Sequence, residues 1–162
     1  MNANAFRHFY EYHFSENRKL WERIMTLSPE QFTQPVDYSH GSMREQIIHL
    51  FSVDDVWFSE LQGIEPSESI PPANFDDREA IRAQWDIVEQ KMRRYLAGLR
   101  DEMVFDKPIQ EPAEDKDLAV WQVLLHVANH GTDHRAQILR LLHDMGVETT
   151  SQDYIFYVYD HL

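Results

Sequence analysis

The stretch Ala119–Gly146, AVWQVLLHVANHGTDHRAQILRLLHDMG, restricts what this chain can fold into more than any other. Its apolar residues recur with helical period, and His126, His130 and His134 stand at four-residue steps among them. Residues four apart on an α-helix lie one above the other, offset by about 40°. At about 100° per residue, Val123, Val127, His130, Ile138 and Leu141 all fall within about 40° of His134. His130 and His134 therefore occupy the middle of the apolar stripe, with His126 nearer its edge. Asn129, Asp133 and Arg140 form the polar flank, and His143 points the opposite way.

Two inward imidazoles at this spacing can reach one metal ion with nitrogen ligands at about 2.0–2.1 Å. The competing reading is a pair of core histidines, each satisfied by a carbonyl or a buried water. Gly131 follows His130, so the H-E-x-x-H protease signature and its glutamate base are absent. That excludes one reaction, not metal chemistry.

The remaining chain supplies partners for this helix. Phe6, Tyr10, His13, Asn17, Leu20, Ile24 and Leu27 make a helical stripe over Asn4–Leu27, with two polar members that either line a pocket or tie helices together. Ser28-Pro29 ends it, and Glu30–His40 reads as a connector running into Gly41. Ser42-Met43-Arg44-Glu45 has capping-box spacing and opens a second helix to about Leu61. Its main face holds Met43, Ile47, Leu50, Phe51, Trp57, Phe58 and Leu61, while His49 lies with Val53 and Val56 on a narrower second seam. Gly63–Asn74 reads as an exposed loop. A third helix from about Asp76 carries Ile81, Trp85, Val88, Met92, Leu96 and Leu99 as core scaffolding. Met103–Ile109 alternates weakly and is expected to be a short extended segment, kept out of a central strand by Pro108 and Pro112. The aromatic tail Asp153–Leu162 is expected to pack over the bundle.

The fold class is thus all-α: one domain over residues 1–162, an antiparallel four-helix bundle with a long fourth helix and a short extended segment before it. A set of His49, His130 and His134 would offer three neutral nitrogens from two helices and leave a position for water or substrate. A di-iron carboxylate site is disfavoured, because none of the nine histidines has glutamate three residues before it. No G-x-S-x-G elbow, phosphate-binding glycine loop or cysteine is present, which removes serine and cysteine hydrolases and thiolate ligands. Fifteen basic against twenty-eight acidic residues give a net charge of −13, which disfavours nucleic acid and anionic membranes as partners. With no secretory signal pattern and no apolar run of membrane-spanning length, a cytoplasmic protein is expected.

Three segments in order resemble one known family, the DinB/YfiT-like metal-dependent enzymes. LLHVANHGTDHRAQI at Leu124–Ile138 is similar to the family's long-helix signature, H-x-x-x-H-x-x-x-H-R followed by a small residue and Gln. SMREQIIHLFSVDDVWF resembles its second helix, and SENRKLWERIMTLSPEQF its opening helix with an Asn. Ala136 stands where many relatives have glycine, a minor departure. The resemblance implies an up-down-up-down bundle, often a homodimer, with nickel, zinc or another divalent ion. It places the metal ligands at His49, His130 and His134; His126 matches a family histidine that is not usually a ligand, and Asn17 the first-helix Asn. Characterised relatives include transferases that use low-molecular-weight thiols such as bacillithiol, and a mycothiol-dependent isomerase. The expected function is therefore transfer of an external low-molecular-weight thiol to an electrophilic small molecule, with no acid or base assigned. Metal-assisted hydrolysis, with Asp54 or Asp133 beside a bound water, is the alternative enzyme. A metal-binding stress protein and a dimeric interaction module are the non-catalytic ones.

Overall fold

The computed structural model describes residues 1–71 and 76–162 and places six α-helices: α1 (Ala3–Ile24), α2 (Pro29–Thr33), α3 (Met43–Glu60), α4 (Arg78–Gly98), α5 (Val120–Asp144) and α6 (Tyr154–Tyr159). No strand occurs among the described residues. Local chemistry sets the ends. Ser42 caps α3 by accepting from the Glu45 N–H while the Glu45 carboxylate accepts from the Ser42 N–H, so two otherwise orphaned donors are satisfied reciprocally. The long C-terminal bundle helix, α5, ends at Gly146 with φ +83°, where the Val147 N–H donates to Leu142 O and the Gly146 N–H to His143 O. This is a Schellman stop, and the left-handed position favours glycine. Ser28-Pro29 does more than end α1. It opens the one-turn helix α2, which seats Phe32 fully in the core inside the expected connector.

The four long helices form a ring in which α1 and α3 each pack on both α4 and α5. Contacts along each pair give the directions. From α1 to α4, Arg7 donates to Leu96 O, Arg93 lies over Phe14 and Trp21 meets Trp85, so this pair is antiparallel. Between α3 and α4, Phe51 meets Trp85, Asp55 binds Lys91 and Phe58 meets Tyr95, so this pair is parallel. Tyr10 on Leu124 O and Asn17 on Arg135 make α1 and α5 parallel, whereas His49 beside His134 and Trp57 beside His126 make α3 and α5 antiparallel. The order is therefore up-down-down-up, and the expected up-down-up-down order is corrected. Two consecutive parallel helices need a long return. The chain after Leu61 provides it by running back along α3, where the Ser67 N–H donates to Asp55 and the Arg44 guanidinium to Pro71 O. Residues 72–74 of the loop expected over Gly63–Asn74 lie outside the described residues.

The segment expected to be extended is also different. Met103–Phe105 belong to a 3-10 turn, Asp101–Phe105, and residues 106–110 have no regular structure. Val104 and Ile109 are both buried, so the alternation reports side chains pushed into the core by a turn. Its first carboxylate, Asp101, accepts from the Ala3 N–H and ties the turn to the start of α1. The tail packs as expected: Tyr154 meets Phe9 and Tyr12 edge-on and Tyr157 is buried. No helix among the described residues is long and apolar enough to cross a membrane.

Candidate metal centre

Because α3 and α5 run antiparallel, His49 rises to the level at which His130 and His134 descend. The ring centroids of His49 lie 4.6 Å from His134 and 5.3 Å from His130, and those of His130 and His134 are 4.2 Å apart. The structure thus brings together all three histidines singled out in the sequence. It adds a fourth. His40, in the loop between α2 and α3, stacks on His49 with centroids 3.5 Å apart and planes 16° from parallel. His40, His49 and His134 each offer a nitrogen such that the three atoms lie within 4.8 Å of one another, a group able to hold a metal ion. His130 adjoins it, with its Nε2 3.3 Å from His49 Nε2.

That separation matches the site chemistry. Two nitrogens bound at about 2.0–2.1 Å to a tetrahedral ion stand roughly 3.3–3.4 Å apart. The Nδ1 atoms of His130 and His134 are buried without a hydrogen-bond partner among the described residues, so the cluster carries nitrogen capacity that the protein does not use. The imidazoles are also held neutral. Burial, then the proximity of His40 and His134, lowers His49 to about 4. Burial, followed by His134 and His49, lowers His130 to about 3. Burial lowers His134 as well, with His40 adding to it and Asp133 opposing. Neutral rings keep a lone pair for a metal at pH 7. An all-imidazole set suits zinc, nickel, copper or iron, not calcium or magnesium. The residues present therefore fit a divalent transition metal.

His126 is exposed, against the edge of Trp57 at 5.1 Å, and makes no hydrogen bond among the described residues. Asp54, one of the two carboxylates considered for hydrolysis, faces α1. It is fully buried, 3.4 Å from His13 Nε2. Asp133 is exposed and accepts from the Gln137 amide.

One residue further round α5, a second polar cluster faces α1. Arg135, only 1% exposed, donates through Nη1 to His13 Nδ1 at 3.2 Å and Asn17 Oδ1 at 2.9 Å, and through Nε to Gln152 Oε1 at 3.0 Å. Because a guanidinium can only donate, His13 accepts at Nδ1, while its Nε2 lies 3.1 Å from the Asn17 amide nitrogen and 3.4 Å from Asp54 Oδ2. His13 and Asn17 therefore tie helices together and do not line a pocket. Gln152 also donates to Thr132 O, and its own carbonyl accepts from the Tyr12 hydroxyl, so the cluster anchors the C-terminal segment.

Two members escaped the sequence reading. His40 lies in an aperiodic loop, where helical phase carries no information. Its available signal was proximity to the Ser42 cap, which fixes where the loop enters α3. Arg135 follows His134 in the sequence, and a rotation of about 100° was enough to send it to a different helix.

The comparison with known proteins agrees with this architecture. The chain is similar to Protein DinB of Bacillus subtilis (strain 168), 26% identical over 166 residues that cover 98% of this chain and 96% of that protein. Residues 1–161 match the model of the DinB family. With all but the last residue matched, on a helical bundle whose histidines meet between α3 and α5, the chain belongs to the DinB family.

Proposed function

We propose that this chain is a divalent-metal-dependent enzyme with His49, His130 and His134 as metal ligands, and that it transfers a low-molecular-weight thiol to an electrophilic small molecule. The observation that carries the metal assignment is the 3.3 Å approach of two neutral Nε2 atoms, from His49 and His130, with the His134 ring 4.6 Å and 4.2 Å from theirs. A divalent ion of this kind, nickel or zinc, lowers the pKa of a coordinated thiol and so raises its thiolate fraction at neutral pH. The chain has no cysteine, so a thiol nucleophile must come from outside. The three imidazoles arrive from two rigid helices, which fixes where that nucleophile is presented. Hydrolysis is the weaker reading, since of its two candidate carboxylates Asp54 is buried against His13 and Asp133 is exposed and accepts from Gln137.

The test is metal content of untagged protein by mass spectrometry beside His130→Ala, followed by a screen of thiols against electrophiles. Near one equivalent per chain, lost in the variant, supports the centre. No metal as purified and no uptake of added zinc or nickel refutes it. A loaded protein that turns over an ester or amide but no thiol refutes the transfer reaction alone.

A further inference from the structure

We propose that His40 is a fourth, displaceable ligand of this centre: bound, it closes the coordination sphere, and an incoming thiol must take its place. The inference rests on the metal assignment above and extends it to a residue outside the His49, His130, His134 set.

The loop around His40 holds one conformation at some cost. Ser39, immediately before it, has φ +53°, a left-handed conformation that a residue with a side chain adopts only at a cost. Gly41, immediately after, has φ +94°, and a Cβ there would lie 2.4 Å from the capping carboxylate of Glu45. Such backbone persists only where its surroundings fix it. The fixing contacts come from both helices of the site. On α3, the Gln46 amide donates to Tyr38 O at 2.9 Å. On α5, Gln137, one residue short of a full turn past His134, accepts from the Ser39 hydroxyl. The loop is thus fastened to the two elements that carry the other ligands, with His40 at its apex.

The ring is placed where a ligand belongs. Its nitrogen groups with those of His49 and His134 within 4.8 Å, and its centroid is 5.2 Å from that of His134. The ring stacks on that of His49, with centroids 3.5 Å apart. Exposure separates His40 from the rest: it is exposed on a loop, whereas His134 is buried on a helix. Of the four, His40 is the one that can leave without disturbing the bundle. Four imidazoles complete a tetrahedral sphere, the closed arrangement of structural sites, and three leave the open position of catalytic ones. In the exchange one neutral nitrogen donor leaves the metal and one sulfur donor enters as the thiolate; the thiol's S–H bond breaks and its proton passes to solvent.

The test uses cobalt(II) as a visible probe in the full chain, with wild type, His40→Ala and His40→Gln compared. Cobalt affinity is measured first, then the affinity of the cobalt-loaded protein for 2-mercaptoethanol from its thiolate-to-metal absorption. Loss of a ligand predicts weaker cobalt binding by about tenfold or more in both variants. Loss of the internal competitor predicts tighter 2-mercaptoethanol binding, also by about tenfold, because the open form is no longer a minor one. Opposite shifts support the proposal. Unchanged values in both variants overturn it while leaving the metal centre intact. Weaker cobalt binding without tighter thiol binding also overturns it, since His40 would then only support its neighbours. Wild type that binds no cobalt refutes the metal centre itself.

Discussion

Gly131 offers the sharpest test of the packing around the site, because two effects of known sign oppose each other there. It lies inside α5, where replacing glycine by alanine ordinarily stabilises by about 1 kcal/mol. A Cβ at this position would stand 2.5 Å from His13 Cε1, 2.9 Å from His13 Nδ1 and 3.1 Å from Arg135 Nη1. The ring cannot swing away, since His13 is 1% exposed and bonded on both nitrogens. Overpacking a filled core costs about 1–3 kcal/mol. Displacing the charge-assisted Arg135–His13 bond adds about 1.5–3 kcal/mol. Gly131→Ala should therefore destabilise the metal-free protein by about 1.5–5 kcal/mol net, roughly 3–20 °C in Tm for a chain of this size. The assay is a double-mutant cycle in urea with His13→Ala, which removes the colliding ring. In that background, Gly131→Ala should be neutral or stabilising by up to about 1 kcal/mol. An equal loss in both backgrounds, or no loss in either, would refute the reasoning.

Arg135→Gln should cost about 3–5 kcal/mol in urea unfolding, because it takes the donor from buried His13 Nδ1 and Asn17 Oδ1 and the nearby cation from buried Asp54; a change below 1 kcal/mol would mean the cluster is not coupled. The metal-free protein should lose stability as pH falls from 6.5 to 5. Folded His49 and His130 are lowered to about 4 and about 3, and His13 is lowered by its burial, whereas unfolded histidine titrates near 6.5. The unfolded chain then binds the extra protons, so the urea midpoint should be level above pH 7 and drop below 6.5; a midpoint that rises on acidification contradicts the depressed histidines. Zinc at about one hundred times its Kd should add about 2.7 kcal/mol of stability. His130→Ala should abolish that gain, and His143→Ala, at an exposed position on α5, should retain it.

The sequence disclosed those features that repeat or cap. The stripe through His130 and His134, the Ser42–Glu45 box and the Gly146 stop all follow from helical geometry that needs no neighbour, and each is found in the structure. The features that stayed hidden depend on two elements at once. Helix direction is one: nothing in the chain after Leu61 shows that it returns along α3, because the contacts that hold it there, Ser67 to Asp55 and Pro71 to Arg44, join partners 12 and 27 residues apart. The alternation at Met103–Ile109 misled for the same reason. Val104 and Ile109 both point inward, yet the backbone between them turns, and only the core they enter explains why.

Up-down-down-up order gives α5 two different neighbours on adjacent faces. Antiparallel α3 brings His49 to His130 and His134, and parallel α1 brings His13 and Asn17 to Gly131 and Arg135. The two pairs differ by one residue, a rotation of about 100° about the helix axis. The α1 face is filled: its guanidinium donates to four side chains, His13, Asn17, Gln152 and Thr132, and its glycine leaves no room for a methyl group. The α3 face is the reverse, with two buried nitrogens unpartnered and an exposed histidine stacked at its mouth. Locking one face fixes the rotation of α5 and thereby aims the other. A helix free to turn by even a third of a residue step, about 30°, would move imidazoles at a radius of several ångströms by more than the tolerance of a metal site. The buried arginine next to His134 thereby sets where His130 and His134 point without touching either of their partners on α3.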